Sequence, residues 1–381
     1  MAHASLSVMP ELPPEIIDRI TDYLHDDHET LAACALAARI MHPASRYHRF
    51  NTLALNLRRI PRLIQLLDSA PDLAPCISSL WLDVKFSSGI DFIGALEVLS
   101  RLPSLQSFTV SCHGVLGKAL KDALRKIATM KPHLTALSLI GPVYLSSSEL
   151  LLAVSRFRSL EELSVDRLRT DYFGSDLLFS PSPPDANVGL RSLQFYINEP
   201  QDVQRFEELS ALWSKKLKNL EVVFTPSGGM DATMAEVEFA LPEYVCLEGC
   251  TLRFVSEEMC VAQNQSLAWI PKILSQLSSP HLRKVTLALV VDTMEDLRSI
   301  MSENAVRDLG PAYFDDMRVL DWAAIERCLT DETLASLHKF LVEGRGDPAL
   351  LEAHIRDTCL ELYARSLVSP VNVEKKAMTR W

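Results

Sequence analysis

Three cysteines are the residues of this chain whose spacing comes nearest to a metal site. Cys246 and Cys250 have the separation of one half of a zinc site, and Cys260 follows them. A tetrahedral zinc site needs a fourth ligand, but the nearest histidine, His281, lies well beyond the three cysteines. The other cysteines are scattered, which is typical of reduced, buried thiols rather than of a disulfide framework. We therefore predict no metal at this cluster.

Two other groups of residues have types that suit ligand binding. His25-Asp26-Asp27-His28 holds four metal-competent side chains in a row. Neighbours on a tight connector point in different directions, so we predict a helix-capping turn there. Gly114-x-x-Gly117-Lys118 lacks both the spacing and the following Ser or Thr of a phosphate-binding P-loop.

The remaining catalytic motifs are absent from the sequence. It contains no nucleophile elbow, no HExxH zinc helix and no GxGxxG dinucleotide turn. We therefore predict no catalytic residue, no cofactor and no enzymatic activity. An enzyme whose acids and bases meet only in the folded chain remains an alternative.

The charge and hydropathy of the chain exclude several classes of partner. Its 381 residues carry a net charge of −11, and such an acidic chain repels phosphate backbones, so we expect no nucleic acid partner. Residues 1–10 lack the basic and apolar regions of a signal peptide, and no apolar run approaches the ~20 residues of a membrane span. We expect a soluble protein with no membrane partner, in the cytoplasm, the nucleus or both.

Apolar residues at helical spacing begin immediately after Leu12-Pro13-Pro14-Glu15, where proline suits the first turn of a helix. The apolar stripe of this helix contains Ile16, Ile17, Ile20, Tyr23 and Leu24. Asp26 and Glu29 predict a capping box for a second helix over 31–38, and a third helix is predicted over 44–50. Three such short helices bury too little surface to be stable alone, so they need a partner or the next domain.

The same region resembles a known family. It reads Leu-Pro-Pro-Glu-Ile-Ile-x-x-Ile-x-x-Tyr-Leu over 12–24, Leu-x-x-Cys-Ala-Leu over 31–36 and Pro-Ala-Ser-Arg-Tyr over 43–47. This ordered series resembles the F-box of the large fungal F-box families, and the resemblance covers residues 10–50. The resemblance implies docking on the Skp-type adaptor of an SCF, or cullin–RING, ubiquitin ligase.

The adaptor-binding positions implied by the resemblance are apolar. They are Leu12, Pro13, Ile16, Ile17, Ile20, Leu24, Leu31 and Leu36. The family usually has a tryptophan shortly after a Ser-Arg or Ser-Lys pair, and this chain reads Ala-Arg-Ile-Met over 38–41. Because methionine fills irregular apolar pockets, Met41 is the substitute that we assign to that position.

A short apolar pattern recurs through the rest of the chain: an apolar residue, two variable ones, an apolar one, one variable and an apolar one. Copies begin at Phe50, Ile77, Leu105, Leu134, Leu160, Leu190, Leu217, Leu282 and, more weakly, Met317. The first seven are 26 to 30 residues apart, with amphipathic helices predicted between several of them. A further, poorly matched copy is expected near residues 251–255. This period is similar to that of leucine-rich repeats and predicts a curved parallel sheet with outer helices.

The predicted fold class is therefore α/β, with a short three-helix F-box, an irregular leucine-rich-repeat solenoid and C-terminal capping helices. We assign residues 8–50 to the helical domain, 51–325 to the solenoid, 326–370 to the capping helices and 371–381 to a flexible tail. The asparagine that usually follows each repeat strand occurs only as Asn198, so we expect irregular curvature. A nonrepeating α/β fold with similar strands is the alternative.

The variable positions within each copy predict the concave face of the solenoid, because successive strand residues point to opposite faces. These positions are Trp81, Asp83, Thr109, Ser138, Ser164, Asp166, Gln194, Tyr196, Glu221 and Thr286. Trp81 and Tyr196 are the expected aromatic contacts to a target protein. The three carboxylates among these positions predict an acidic face that favours a basic partner segment.

Together these features predict a substrate-receptor subunit of an SCF-type ubiquitin ligase. The N-terminal helices would bind the adaptor, and the repeat face would bind a target protein whose identity the sequence does not show. The alternative is a repeat-based interaction scaffold that has no connection with a ligase.

Overall fold

The computed structural model describes residues 13–25, 27–84, 92–112, 118–141, 143–145, 147–166, 168–169, 189–224, 239–256, 269–292, 309–311, 314 and 316–373. The chain divides into two compact units, Met1–Ser111 and Cys112–Trp381. Among the described residues, no helix has both the length and the apolar character that crossing a bilayer requires.

Three α-helices open the first unit: α1 (Pro14–Tyr23), α2 (His28–Ala37) and α3 (His42–Asn51). A 3-10 helix over Arg39–Met41 separates α2 from α3. The predicted capping residue of α2 is wrong by one position, because the Asp27 carboxylate accepts the Thr30 N–H at 2.9 Å. Asp27 also accepts the Thr30 hydroxyl at 2.6 Å, and these bonds hold the pKa of its carboxyl below the usual value.

Three strands complete the first unit: β1 (Thr52–Asn56), β2 (Ser79–Val84) and β3 (Ser107–Cys112), the last of which reaches the boundary of the unit. Strands β1 and β2 are parallel, with Leu53 opposite Leu80, and β3 follows β2 in the sheet. The connections contain α4 (Ile60–Ser69), α5 (Phe92–Arg101) and 3-10 helices over Leu57–Arg59 and Pro71–Cys76.

The second unit contains one long sheet whose neighbouring strands also follow each other in the chain. The strands are β4 (Ala136–Ile140), β6 (Glu162–Val165), β8 (Ser192–Ile197), β9 (Asn219–Phe224), β10 (Gly249–Ser256), β11 (Lys284–Asp292), β13 (Lys339–Gly344) and β14 (Val368–Asn372). All of these pairings are parallel. The short β12 (Leu309–Pro311) is antiparallel to β11, and β5 (Val143–Tyr144) pairs with β7 (Leu168–Arg169).

Helices lie between the strands of the second unit. They are α6 (Lys118–Met130), α7 (Ser147–Val154), α8 (Pro200–Trp213), α9 (Trp269–Leu274), α10 (Trp322–Leu329), α11 (Pro348–Thr358) and α12 (Leu360–Ala364). Two 3-10 helices cover Asp316–Val319 and Glu332–Leu334. The predicted α/β fold with parallel strands and intervening helices is confirmed. Its identity as a leucine-rich-repeat solenoid stays a prediction.

The recurring apolar pattern forms the core. Its three apolar positions are buried in the copies that begin at Ile77, Leu105, Leu134, Leu160, Leu190, Leu217 and Leu282. The last two positions of each copy lie in a strand two residues apart, so they point to the same face, toward the helices. The poorly matched copy that was expected near residues 251–255 is instead Leu247-Cys250-Leu252. A buried cysteine takes its middle position.

The predicted end of the sheet is wrong. Met317-Leu320-Trp322 has the apolar pattern but lies in a 3-10 helix and the start of α10, where Asp321 accepts the Ala324 N–H at 2.9 Å. The true next copy is Leu337-Phe340-Val342, which forms β13 and is fully buried. Residues 326–370 therefore do not only form capping helices, since β13 and β14 extend the sheet.

The remaining boundaries fall as follows. Residues 371–372, predicted as tail, belong to β14, because Glu343 and Gly344 are their register partners on β13. The rest of the predicted tail, over 374–381, lies outside the described residues. The predicted domain boundary at residue 50 falls at the junction of α3 and β1 and stays a prediction.

Replacing Phe340 tests the assignment of β13 to the core. Because its ring is fully buried, Phe340→Ala should lower the free energy of unfolding by about 3–5 kcal/mol. Leu341→Ala, at the neighbouring half-buried position, is the matched control and should cost clearly less. Urea unfolding followed by circular dichroism measures both, and equal losses for the two variants would contradict the strand assignment.

Candidate protein-interaction surfaces

The first unit leaves several large apolar side chains uncovered. Ile16 and Ile20 on α1 are 41% and 40% exposed, Tyr23 is 90% exposed, and Leu36 on α2 is 89% exposed. Ile40, in the 3-10 helix that contacts both α1 and α2, is also exposed. We call these five residues the N-terminal apolar surface. Helix geometry places Ile16, Ile20 and Tyr23 on one stripe, since they are four and then three residues apart.

The opposite side of α1 explains why that stripe faces outward. Ile17 and Thr21 are buried in the unit, and the Thr21 hydroxyl donates to the Ile17 carbonyl at 3.1 Å. Asp22 accepts from His48 Nε2 of α3, with 2.9 Å between the two atoms. These contacts fix the rotation of α1 about its axis and turn Ile16 and Ile20 away from the core.

The predicted adaptor-binding residues separate into exposed and buried sets. Pro13, Ile16, Ile20 and Leu36 are exposed, and Leu24 and Met41 are half-buried. Ile17 and Leu31 are buried in the unit, so we assign both to its core rather than to a contact surface. Leu12 lies outside the described residues. Sequence reasoning placed Tyr23 on the apolar stripe of α1 but did not list Tyr23 or Ile40 as contact residues.

The sheet face of the first unit presents one aromatic side chain. Trp81 is 36% exposed and is the register partner of Ala54 on β1. Because alanine is small, it leaves the neighbouring space beside the indole ring uncovered. Asp83 on β2, the register partner of Asn56, and Thr109 on β3 are half-buried. Trp81 is therefore the residue of this face most available to a partner.

The sheet face of the second unit is polar and internally paired. Register places Ser138, Ser164, Gln194, Glu221, Thr251 and Thr286 in one row across six strands. The Ser164 hydroxyl donates to Gln194 Oε1 at 2.7 Å, and Arg253 Nε donates to Glu221 Oε1 at 3.1 Å. Thr286 is buried, and its hydroxyl has no hydrogen-bond partner among the described residues.

Tyr196 lies in the next row of this face, opposite Val223. Its burial raises the pKa of the phenol, and the nearby carboxylates of Asp166 and Glu221 raise it further, while Arg253 opposes them. The ring is half-buried, so only part of it is available to a partner. The prediction of Tyr196 as a target-binding aromatic stays a prediction.

The carboxylates of this face form hydrogen bonds and ion pairs with other residues of the protein. Asp166 is 8% exposed and accepts the Gly141 N–H at 3.0 Å and the Asn198 amide N–H at 3.4 Å. Glu221 is paired with Arg253. The carboxylates of the predicted acidic face are therefore engaged within the second unit, Asp166 by two neutral N–H donors and Glu221 by an ion pair. Their engagement weakens the expectation of a basic partner segment.

Asp166 also connects neighbouring strands. It follows β6, while Gly141 follows β4 and Asn198 follows β8, so its two oxygens join the ends of three adjacent strands. The sequence identified Asn198 as an isolated repeat asparagine and missed that an aspartate is its partner. Asp202 at the start of α8 extends the network, since it accepts from Asn198 N at 2.9 Å and from Arg205 at 2.8 Å. Burial raises the pKa of the Asp202 carboxyl.

The cysteine cluster has a structural explanation. Cys250 is a core residue of β10, and burial raises the pKa of its thiol to about 12. Cys246 is half-buried, and Cys260 lies outside the described residues. Within the described part of the chain, no three His, Cys, Asp or Glu side chains are grouped so as to hold a metal ion.

Comparison with known proteins adds no family assignment. No protein-family model matches the chain, and no curated protein matches it.

Replacing Asp166 tests its role in joining three strands. Asp166→Ala leaves the Gly141 N–H and the Asn198 amide without this acceptor, so the free energy of unfolding should fall by about 1–3 kcal/mol. Glu221→Ala removes a partly exposed ion pair and should cost about 0–1 kcal/mol. Chemical unfolding of both variants measures the difference, and a smaller loss for Asp166→Ala than for Glu221→Ala would contradict the assigned role.

Thiol labelling tests the burial of Cys250. At mildly alkaline pH the native thiol should stay protonated and react with iodoacetamide far more slowly than that of Cys246, because Cys250 is buried. Mass spectrometry of the digested protein gives both rates, and urea should make them similar. Equal rates in the native protein would show that Cys250 is not in the core.

Proposed function

We propose that this protein is a substrate-receptor subunit of an SCF-type ubiquitin ligase. In this proposal the N-terminal helices dock on a Skp-type adaptor, and the repeat-like sheet unit binds a target protein. The chain performs no bond chemistry. It acts by proximity, because binding raises the effective concentration of the target beside the ubiquitin-loaded enzyme.

The observation that carries the proposal is the exposure of the N-terminal apolar surface. Ile16, Ile20 and Leu36 are positions that the F-box resemblance assigns to adaptor contact, and all three are exposed. Exposed apolar patches on a folded protein mark interaction sites. Tyr23 and Ile40 enlarge the same surface with side chains that the motif alone did not identify.

The energetics of this surface favour a partner with an apolar groove. Fully burying one large aliphatic side chain contributes about 1.5–3 kcal/mol, so a few of these residues supply a substantial binding free energy. α1 contains the acidic residues Glu15 and Asp18 beside the apolar positions, and α2 contains Glu29. A polar margin around an apolar centre is typical of protein–protein interfaces.

Met41 is the main departure from the F-box pattern. Its side chain is half-buried in the 3-10 helix between α2 and α3, beside the exposed Ile40. We propose that Met41 and Ile40 together fill the adaptor pocket that tryptophan fills in the family. Methionine suits this role because its unbranched side chain adapts to irregular apolar space.

The sheet faces are the proposed target-binding surfaces. Trp81 in the first unit and Tyr196 in the second provide aromatic side chains, which are enriched among the residues that dominate interface energies. Thr109, Ser164 and Gln194 are half-buried polar neighbours on the strands. These residues give the sheet face a polar contact area for a target.

Co-expression with a Skp-type adaptor, followed by size-exclusion chromatography, tests adaptor docking. We expect the wild type to elute as a stoichiometric complex and Ile16→Asp/Ile20→Asp to elute alone, because two charges would enter the apolar interface. Both side chains are exposed, so the variant should keep its native circular dichroism spectrum and melting temperature.

Leu152→Asp/Leu350→Asp is the matched control, because both leucines are exposed in the second unit to a similar extent. This variant should still form the complex. If the folded wild type elutes without the adaptor, adaptor docking fails and the alternative of a non-ligase interaction scaffold takes its place. Loss of the complex in the control as well would show that the N-terminal apolar surface is not the specific contact.

A further inference from the structure

Basic side chains cluster at the amino ends of β11 and β13. Lys284 and Lys339 are register partners on these adjacent parallel strands, and Arg283 and His338 directly precede them. All four side chains are exposed. The backbone places the two segments side by side, because the N–H groups of His338 and Lys339 both donate to the Arg283 carbonyl, at 3.0 and 3.1 Å, and Lys284 is opposite Lys339. We call these four residues the basic edge.

Other charged residues at this edge of the sheet are paired with opposite charges. Lys218 Nζ lies 2.6 Å from Glu248 Oε1, and Arg191 lies 3.9 Å from Glu161. Within the described part of the chain, no ion pair involves a residue of the basic edge. Arg283 contributes to lowering the pKa of the Glu248 carboxyl, but Lys218 is the direct partner of that carboxylate.

This arrangement has an electrostatic cost for the folded chain. Neighbouring strands lie about 4.8 Å apart. Lys284 and Lys339 are therefore like charges directly opposite each other, a pairing that destabilises a sheet. The protein as a whole has a net charge of −11, so this local positive charge is contrary to its average. A bound anion would remove the repulsion.

We propose that the basic edge binds a short, unphosphorylated acidic segment of a partner protein, rich in Asp and Glu. The four side chains are exposed and spread over two strands, and only Arg283 has the fork geometry that suits a phosphate group. Several separate carboxylates match such spread point charges better than one phosphate does. An extended polyanion such as nucleic acid would also meet the surrounding negative charge of the protein.

A polar side chain from β9 lies beside Lys284. Gly249, the first residue of β10, is the register partner of Lys284 and has no side chain. At this position the Asn219 side chain from β9 lies alongside, since a Cβ on Gly249 would be 3.0 Å from Asn219 Oδ1. Asn219 thus adds an amide beside the basic edge that can bond a peptide backbone.

This proposal is independent of adaptor docking, because it concerns the second unit alone. It also revises the partner expected from the sequence. Asp166 and Glu221 on the sheet face are engaged within the protein, whereas no residue of the basic edge forms an ion pair in the described part of the chain. The charge complementarity therefore favours an acidic partner.

Fluorescence anisotropy with the full-length protein and a fluorescein-labelled oligo-glutamate peptide tests the proposal at low ionic strength. We expect saturable binding that weakens as salt is added, since exposed charges are screened. Lys284→Glu/Lys339→Glu should weaken binding about tenfold, because two attractions become repulsions. Lys284→Gln/Lys339→Gln should weaken it less.

Arg156→Glu/Arg158→Glu is the matched control, since it changes the charge of the same unit equally at exposed positions near α7 and β6. It should retain binding within about twofold. An equal loss in this control would overturn the proposal, as would no binding of the peptide by the wild type. Tighter binding of a phosphoserine peptide, a single-stranded oligonucleotide or vesicles with anionic lipid would also overturn it in favour of that ligand.

Discussion

Parallel pairing of successive strands is the constraint on which the second unit depends. It places one apolar residue of each strand beside its counterpart on the next, as in the row Leu137, Leu163, Leu193, Leu220, Cys250, Val285 and Phe340. Every member of this row is buried. Because these side chains point to one face, a helix or turn must pack over each strand to keep them from water. The apolar residues of these helices and turns therefore recur with the same period as the strands. A one-residue shift in register would expose the whole row.

The same register determines the chemistry of the opposite face. Residues distant in the sequence become neighbours there, as Glu221 and Arg253 do, and as Ser164 and Gln194 do. A charge on one strand is therefore neutralised, or left unneutralised, according to the residue on the next strand. Glu221, paired with Arg253, shows the first case. The Lys284–Lys339 pair, which has no ion pair among the described residues, shows the second. The charge of this face therefore depends on which residues are neighbours on adjacent strands, not on which residues are neighbours in the sequence.

This distinction explains which parts of the structure were predictable from the sequence. Strand positions were predictable because the apolar pattern is local, and most copies are buried strands. The pattern failed where local capping competes with it: Met317-Leu320-Trp322 has the same spacing, but Asp321 starts a helix and the Trp322 indole N–H donates to the Met317 carbonyl at 3.0 Å. Leu337-Phe340-Val342 was missed because a long insertion separates it from the preceding copy. The partners of Asp166 and Glu221 lie on other strands, so no local pattern could identify them.

The two units carry surfaces that would bind partners through different interactions, apolar in the first unit and electrostatic in the second. The N-terminal apolar surface gains free energy by removing apolar area from water, which is nearly independent of salt. The basic edge gains its binding free energy from charge pairing in a medium of high dielectric constant. Such pairing is weak, rapid to form and strongly screened by salt. A subunit that stays with one partner while it exchanges another benefits from this combination. The apolar contact suits a constant partner, and the charged contact suits a partner that exchanges.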